Sequence, residues 1–351
     1  MDHLNFENQY LYKTSYINNR RYLGNKYKLL PFIKRVVNTE CNEIESVADI
    51  FAGTGAVSSA FAEDKVIITN DLLYSNYICN YAWFSSQTYN PQVIVDYVVK
   101  YNNIEKLEDN YMTKNFSDTY FSHDDCSKIG IIREDIEDSF INRKINERER
   151  ALLITSLLYA MDKIANTCGH YDAYRKNAKF ERHLELFVPL AKVHNNEKNH
   201  CFNEDANTLV KNIYADLVYI DPPYNSRQYC DAYHLLENIA LWQKPEVHGI
   251  ARKMDRKNMK SQYCTKNATQ AFEQLIKDIN SKYILFSYNN METKGNDRSN
   301  AKITDEDIMQ ILTKKGTVKV FEEDYKAFTT GKSDISGNKE RLFLCKCPLK
   351  E

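Results

Sequence analysis

The 351-residue sequence is short of glycine, with only 10 residues. Where glycines do cluster, the backbone must require them, because glycine alone enters left-handed conformations without steric cost. Long apolar runs are missing. None approaches the ~18 residues of a membrane span, so no transmembrane segment is expected. The first residues, MDHLNFENQYLYK, open with an acid and hold no apolar core segment, so no signal peptide is expected either. No sign of charge dominates: the formal net charge is −1. That balance does not announce a nucleic-acid binder, yet a local basic stripe can still supply phosphate contacts. The nine cysteines follow no repeating spacing, which suits a reducing cytoplasm better than a disulfide framework. Cys345-Lys346-Cys347 sits in a strand-like stretch with no accompanying His-Cys pattern, so no metal is expected. Internal repeats and low-complexity segments are also lacking.

What is present is a set of short apolar, β-branched runs near both ends of the chain: 46–51, 65–70, 216–220, 282–288, 317–321 and 341–346. Segments 56–61, 268–279 and 305–313 between them read as helices. Strands alternating with helices predict an α/β fold with a parallel, doubly wound sheet. From 85 to 198 the rhythm breaks into Tyr, Asn and charge, with one clear helix over 147–166. The expected organisation is one domain from 1–84 and 199–351, interrupted by a smaller, mainly helical insertion at 85–198. The alternative is that this segment completes the first domain's core. Three basic stripes, RKINERER (143–150), Arg175-Lys176 and RKMDRKNMK (252–260), read first as solvated helix faces or loops and second as phosphate contacts.

The first strand runs into Asp49-Ile50-Phe51-Ala52-Gly53-Thr54-Gly55. Two glycines one apart, between a strand and a helix, let a ligand approach backbone amides and the helix N-terminus. A dinucleotide fingerprint needs a third glycine where this chain has Ser58, which disfavours a nicotinamide-dependent oxidoreductase. Asp71, just past the second strand, suits ribose hydroxyls. The loop therefore reads as an adenosine site more than a pyrophosphate site, or otherwise as a tight turn with a solvent-facing acid.

After the strand DLVYI come Asp221-Pro222-Pro223-Tyr224. These residues suit attack by an exocyclic amino group of a nucleobase, a poor nucleophile because its lone pair is delocalised into the ring. The Asp221 carboxylate accepts one N–H. The Pro222 carbonyl, restricted by Pro223, accepts the other. The two together favour tetrahedral nitrogen and the charge that develops on it. Tyr224 offers a flat face to a base that has left its stack, worth about 1–3 kcal/mol. A helix-capping Asp-Pro-Pro turn is the plainer alternative.

At this point the sequence resembles the Dam-like, alpha-class, DPPY-type adenine-specific DNA methyltransferases of restriction-modification systems. Three blocks carry the resemblance in order: Arg21-Tyr22-Leu23-Gly24-Asn25-Lys26 with LLPFI, then DIFAGTGAVSSAF, then DPPY. It covers about 20–84 and 199–347. It implies a Rossmann-like sheet that uses S-adenosyl-L-methionine, with 85–198 as the target-recognition segment. Tyr22, Gly24 and Lys26 would line the methionine side of the cofactor. Asp49, Phe51, Gly53 and Gly55 would hold its amino-acid part and thioether region, Asp71 its ribose, and Asp205 its adenine. Asp221, Pro222, Pro223 and Tyr224 would perform the transfer. Asn25 stands where the family pattern has a second glycine, and asparagine also tolerates left-handed backbone. In 225–242, Tyr229, Tyr233 and His234 read first as packing residues and second as DNA contacts. Arg227, beside the catalytic turn, is the phosphate candidate. Tyr288, at a strand end on the same sheet edge, is a candidate to line the DNA pocket, with packing as the alternative that the edge position alone does not separate.

The implied partner is double-stranded DNA, bound by a monomer in the cytoplasm of a prokaryote or by a phage product, with no membrane and with any cognate restriction endonuclease on a separate chain. Transfer to cytosine's exocyclic amine or to RNA uses the same chemistry. A non-catalytic DNA-binding regulator with this fold is the alternative from another class, against which both intact loops argue.

Overall fold

In the computed structural model, which describes residues 12–20, 22–177, 179–223, 225–289, 302–324 and 339–348, the apolar runs form one seven-stranded sheet. Its strands are β1 (Ser46–Asp49), β2 (Val66–Asn70), β3 (His200–Phe202), β4 (Leu217–Ile220), β5 (Tyr283–Asn289), β6 (Thr317–Asp324) and β7 (Lys339–Lys346), in the spatial order β3-β2-β1-β4-β5-β7-β6. The first five run parallel. β7 runs against both its neighbours, so the sheet is mostly rather than wholly parallel. Four helices of this region are α1 (Leu30–Glu40), α2 (Ala56–Phe61), α3 (Ala268–Asp278) and α4 (Asp305–Thr313).

The parallel strands are apolar on both faces because helices cover them. Val47, Ala48, Val218, Ile220 and Ile284 are all buried. On α3, Ala268, Ala271, Phe272, Leu275 and Ile276 recur at helical spacing and form the buried stripe. Phe272 meets Phe286 of β5 at 4.4 Å between ring centroids. Each such buried side chain contributes about 1.5–3 kcal/mol. The chain leaves β1 for β2 on one side and returns to β4 on the other. That reversal is the topological switch point where open α/β sheets bind ligands.

The described residues fall into two compact units. The sheet unit takes in Asn25–Tyr77, Lys198–Ala232 and Arg256–Glu351; the helical unit takes in Met1–Gly24, Ile78–Glu197 and Tyr233–Asp255. The expected insertion at 85–198 thus lies in a unit that also includes segments near residue 20 and beyond 232. Inside the helical unit, the Tyr111 hydroxyl donates to the Pro245 carbonyl at 2.7 Å and that of Tyr120 to the Ala251 carbonyl at 3.0 Å. Those bonds tie 233–255 to the helical core.

The helix expected over 147–166 spans Glu147–Ile164, and nearly every residue from Arg148 to Met161 is buried. It opens on a capping box: Asn146 accepts from the Glu149 amide, and Glu149 accepts from the Asn146 amide at 2.7 Å. The RKINERER stripe is therefore only partly a solvated face: Arg143, Lys144 and Glu147 are exposed, whereas Arg148 and Glu149 are buried. Arg148 is 0% exposed and donates to the carbonyls of Ala82, Gln87, Lys192 and Val193. Arg150 forks onto Glu137 at 2.8–3.2 Å. Among the described residues no helix is long and apolar enough to cross a membrane.

Candidate active site

β4 is flanked by two aspartates in different surroundings. Asp216 accepts from the amides of Glu45 and Ser46 at 2.8 and 3.1 Å, from the Tyr214 hydroxyl at 3.0 Å, and pairs with Lys282 at 3.0 Å. Burial alone would raise its pKa, but these donors outweigh burial and hold it down at about 2. It pins the entry to β4 against its two neighbours. Asp221, just past the other end, is 15% exposed, and its Oδ1 lies 3.0 Å from Nζ of Lys26. Burial pushes its carboxyl up, Lys26 opposes the rise, and Glu340 adds to it, leaving a pKa of about 6. Lys26 is 6% exposed, so the ion pair is largely shielded from water.

The glycine loop leaves β1 beside this carboxylate. Asp49 registers with Tyr219 across the β1–β4 ladder, and the Ile50 amide donates to the Tyr219 carbonyl at 3.3 Å. Asp221 is two residues beyond that partner, so both loops emerge on the same edge. Gly53 has φ 52° and Gly55 φ 77°, and Gly55 is the N-terminal cap of α2. Any side chain there would be strained as well as obstructive. The Gly53 amide donates to Oδ2 of Asp71 at 2.8 Å, and the Leu73 amide to its Oδ1 at 2.9 Å. Asn70 joins the next loop: its amide group donates to the carbonyls of Ile50 and Glu204, each at 3.1 Å, and its Oδ1 accepts from the Glu204 amide.

Asp49 is 1% exposed. Its Oδ2 accepts from the Ser58 hydroxyl at 3.0 Å, while Oδ1 is buried with no hydrogen-bond partner. Burial, opposed by Ser58 and reinforced by the charges of Asp221 and Asp71, raises its carboxyl to about 7. Three carboxylates crowd the loop ends with one lysine. A buried acceptor left unsatisfied is costly, and the local field favours a cationic ligand.

Phe51 packs edge-on to Tyr263 at 5.1 Å, and the Tyr263 hydroxyl donates to Asn207 at 2.9 Å. Asp205 caps the short helix containing Asn207, accepting from the Thr208 amide at 3.1 Å, and is itself exposed. Phe51 and Asp205 thus belong to one side of the loop, an apolar ring with an acceptor near it. Neither Tyr263 nor Asn207 carries a motif that marks it in the sequence.

Lys26, Asp49, Phe51, Gly53, Gly55, Asp71, Asp205, Asp221, Pro222 and Pro223 all lie in the sheet unit. Tyr22 and Gly24 belong to the helical unit, where the Tyr22 ring stacks on Tyr233 at 4.4 Å and the Leu23 amide donates to the Tyr233 hydroxyl at 2.7 Å. Gly24 has φ 75°, whereas Asn25 stays out of the left-handed region and accepts from the Tyr27 amide through its side chain. Tyr224 lies outside the described residues. Tyr233 and His234 are buried, and His234 Nε2 sits 2.8 Å from the Tyr171 carbonyl, as packing residues should. Arg227 is exposed. Tyr288 is 1% exposed, stacks on Phe286 at 5.1 Å, and accepts from the amides of Lys302 and Ile303 at 3.1 Å. So shielded a ring packs the core and offers DNA no surface, contrary to the expectation for Tyr288.

Comparison with known proteins gives this geometry a context. A family model described as D12 class N6 adenine-specific DNA methyltransferase matches residues 22–296. The chain is 36% identical over 338 residues to modification methylase StsI of Streptococcus sanguinis, covering 91% of this chain and 50% of that protein. It is 32% identical over 344 residues to type II methyltransferase M.FokI of Planomicrobium okeanokoites, covering 92% and 52%. Type II methyltransferase M.NlaIII of Neisseria lactamica is 31% identical over 333 residues, covering 91% and 95%. The chain therefore spans about half the length of the first two relatives and nearly all of the third. A carboxylate-proline turn beside a glycine loop, on a chain matched through most of its length, leaves one family: the chain belongs to the D12 class N6 adenine-specific DNA methyltransferases.

Proposed function

We propose that the protein is a site-specific methyltransferase that moves a methyl group from S-adenosylmethionine to the exocyclic amino nitrogen of adenine in duplex DNA, as the modification enzyme of a type II restriction-modification system. The single observation that carries this reading is the placement of Asp221 beside the glycine loop, with Lys26 at 3.0 Å to keep it ionisable.

The residues fit that donor. Gly53 and Gly55 keep the loop free of side chains. Asp49 keeps a buried, unpartnered oxygen for a positive group, and Asp71 and Asp205 are acceptors suited to ribose hydroxyls and an adenine edge. When bound, the cofactor supplies an already activated methyl group on a sulfonium. The chain's part is to hold and orient. Ionised Asp221 accepts one N–H of the adenine amine, and the Pro222 carbonyl accepts the other. The nitrogen lone pair is thereby drawn out of ring conjugation, and positive charge developing there is met by Asp221. Lys26 offsets part of the cost of keeping that carboxylate charged out of water. Tyr224 would stack on the extruded base, and the helical unit would read base edges.

In this reading the protein acts as a monomer on DNA in the cytoplasm of a prokaryote or as a phage product, and its cognate endonuclease is a separate chain. Incubation with duplex DNA and labelled S-adenosylmethionine, followed by nucleoside digestion, tests the reaction. Labelled N6-methyladenine is expected. Label in N4-methylcytosine, or none in DNA, would contradict it.

A further inference from the structure

The C-terminal half of the basic stretch at 252–260 is fastened to the loop that follows the proline pair. From Arg256 to Lys266 the chain carries four basic residues, Arg256, Lys257, Lys260 and Lys266, and no acid. Within the sheet unit, Arg256 Nε donates to Asp231 Oδ1 at 2.8 Å. The Ser261 amide donates to Gln228 Oε1 at 2.8 Å, and Gln228 Nε2 donates back to the Ser261 carbonyl at 3.0 Å. The Cys264 thiol donates to the Arg227 carbonyl at 3.2 Å. Four bonds thus join 227–231 to 256–264, and two of them use a single glutamine side chain from both ends.

Arg256 is committed to this fastening. Arg227, Lys257, Lys260 and Lys266 are exposed. Lys260 is close enough to Cys230 for its charge to act there. A solvated loop needs no such attachment. A run of cations held rigidly against the catalytic loop suits a polyanion that must be held in register with that loop.

We propose that Lys257 and Lys260, together with Arg227, hold backbone phosphates of the DNA strand that carries the extruded adenine. The assignment rests on the DNA-methylating function proposed above. Extruding a nucleotide rotates it about its own backbone, so phosphates held beside the catalytic turn fix the pivot. Such contacts position the strand and carry no sequence information of their own. The paired hydrogen bonds between Gln228 and Ser261 couple that position to the loop that follows the proline turn.

The test uses the full chain with Lys257→Gln, Lys260→Gln and the double substitution, titrated by fluorescence anisotropy into a duplex that the wild-type protein methylates and into one that it does not. Across ~50 to ~200 mM salt, loss of each phosphate contact should reduce the slope of log affinity against log salt by about 0.9, and the double variant by about 1.8. Both duplexes should weaken in parallel, Lys→Arg at the same positions should restore the slope, and calorimetric affinity for S-adenosylmethionine should stay at the wild-type value. An unchanged slope in the double variant would overturn the proposal. So would weaker binding at every salt concentration with the slope retained, which a distorted loop would give. If the wild-type protein fails to methylate duplex DNA, the proposed function falls. If it methylates normally while the double variant's slope does not move, only the lysine assignment falls.

Discussion

Asp216 and Asp221 flank the same four-residue strand, Leu217–Ile220, in contrasting electrostatic surroundings. Asp216 gathers hydrogen-bond donors and stays acidic at about 2, while Asp221 is buried beside a single lysine and rises to about 6. A carboxylate pinned by donors and one shielded beside a lysine are thus separated by one strand length. Environment alone distinguishes them.

In the proposed mechanism the adenine amine is held by ionised Asp221, so kcat/KM should fall on the acid side as pH drops through about 6. Replacing Lys26 with glutamine removes the charge that opposes the rise, and the acid limb should move to higher pH with at least a tenfold loss at neutral pH. Lys26→Arg should recover part of both. A pH–rate profile of the two variants checks this; an unshifted limb in Lys26→Gln would show that the ion pair does not tune the carboxylate.

Stability should respond to pH through Asp49 with the opposite sign from an ordinary salt-bridged acid. Its folded pKa of about 7 lies above the unfolded value of about 3.9. The folded state therefore holds the extra proton between these values. Its contribution to stability is fully present below the unfolded pKa and is lost as pH rises through about 7. Asp49→Asn, which stays neutral, should flatten the decline in denaturation midpoint between pH 5 and 8. Equal slopes in wild type and variant would rule out the assignment.

Gly53 should not tolerate a side chain. Its φ of 52° strains any L-residue, and a valine there also obstructs the approach to the amide that bonds Asp71. Gly53→Val should weaken S-adenosylmethionine binding at least a hundredfold by calorimetry while the far-ultraviolet circular dichroism stays that of the wild type. Unchanged affinity would remove the loop from the cofactor site.

Arg148 tests the helical unit. Truncation to alanine leaves four carbonyls, that of Ala82 buried and the other three partly so, without their donor, and a loss of about 3–5 kcal/mol is expected in denaturant unfolding. A loss under about 1 kcal/mol would mean that water replaces the guanidinium.

Much of this was legible in the sequence, unevenly. The sheet could be read because strands buried on both faces are written as short, continuous apolar runs. His200–Phe202 escaped because three residues with one polar member leave no period to detect. The glycine and proline turns could be read because their residue types are demanded by backbone geometry. What Lys26 touches could not, since its partner is a strand end brought close only by folding. In RKINERER the exposed Arg143 and Lys144 fit a solvated face, but Arg148 does not, although Asn146-x-x-Glu149 is a helix-start signal; the burial of Arg148 depends on carbonyls that only the tertiary fold leaves unpaired. Tyr288 was correctly placed at a strand end, but which way its ring faces is decided by the backbone at 302–303.

The most direct measurement is single-turnover methylation of duplex DNA by an Asp221→Ala variant, with cofactor affinity measured in parallel. If the carboxylate and the Pro222 carbonyl together orient the adenine amine, transfer should fall by more than a thousandfold, about 4 kcal/mol of barrier, while S-adenosylmethionine still binds. Turnover within tenfold of the wild-type rate would contradict the mechanism.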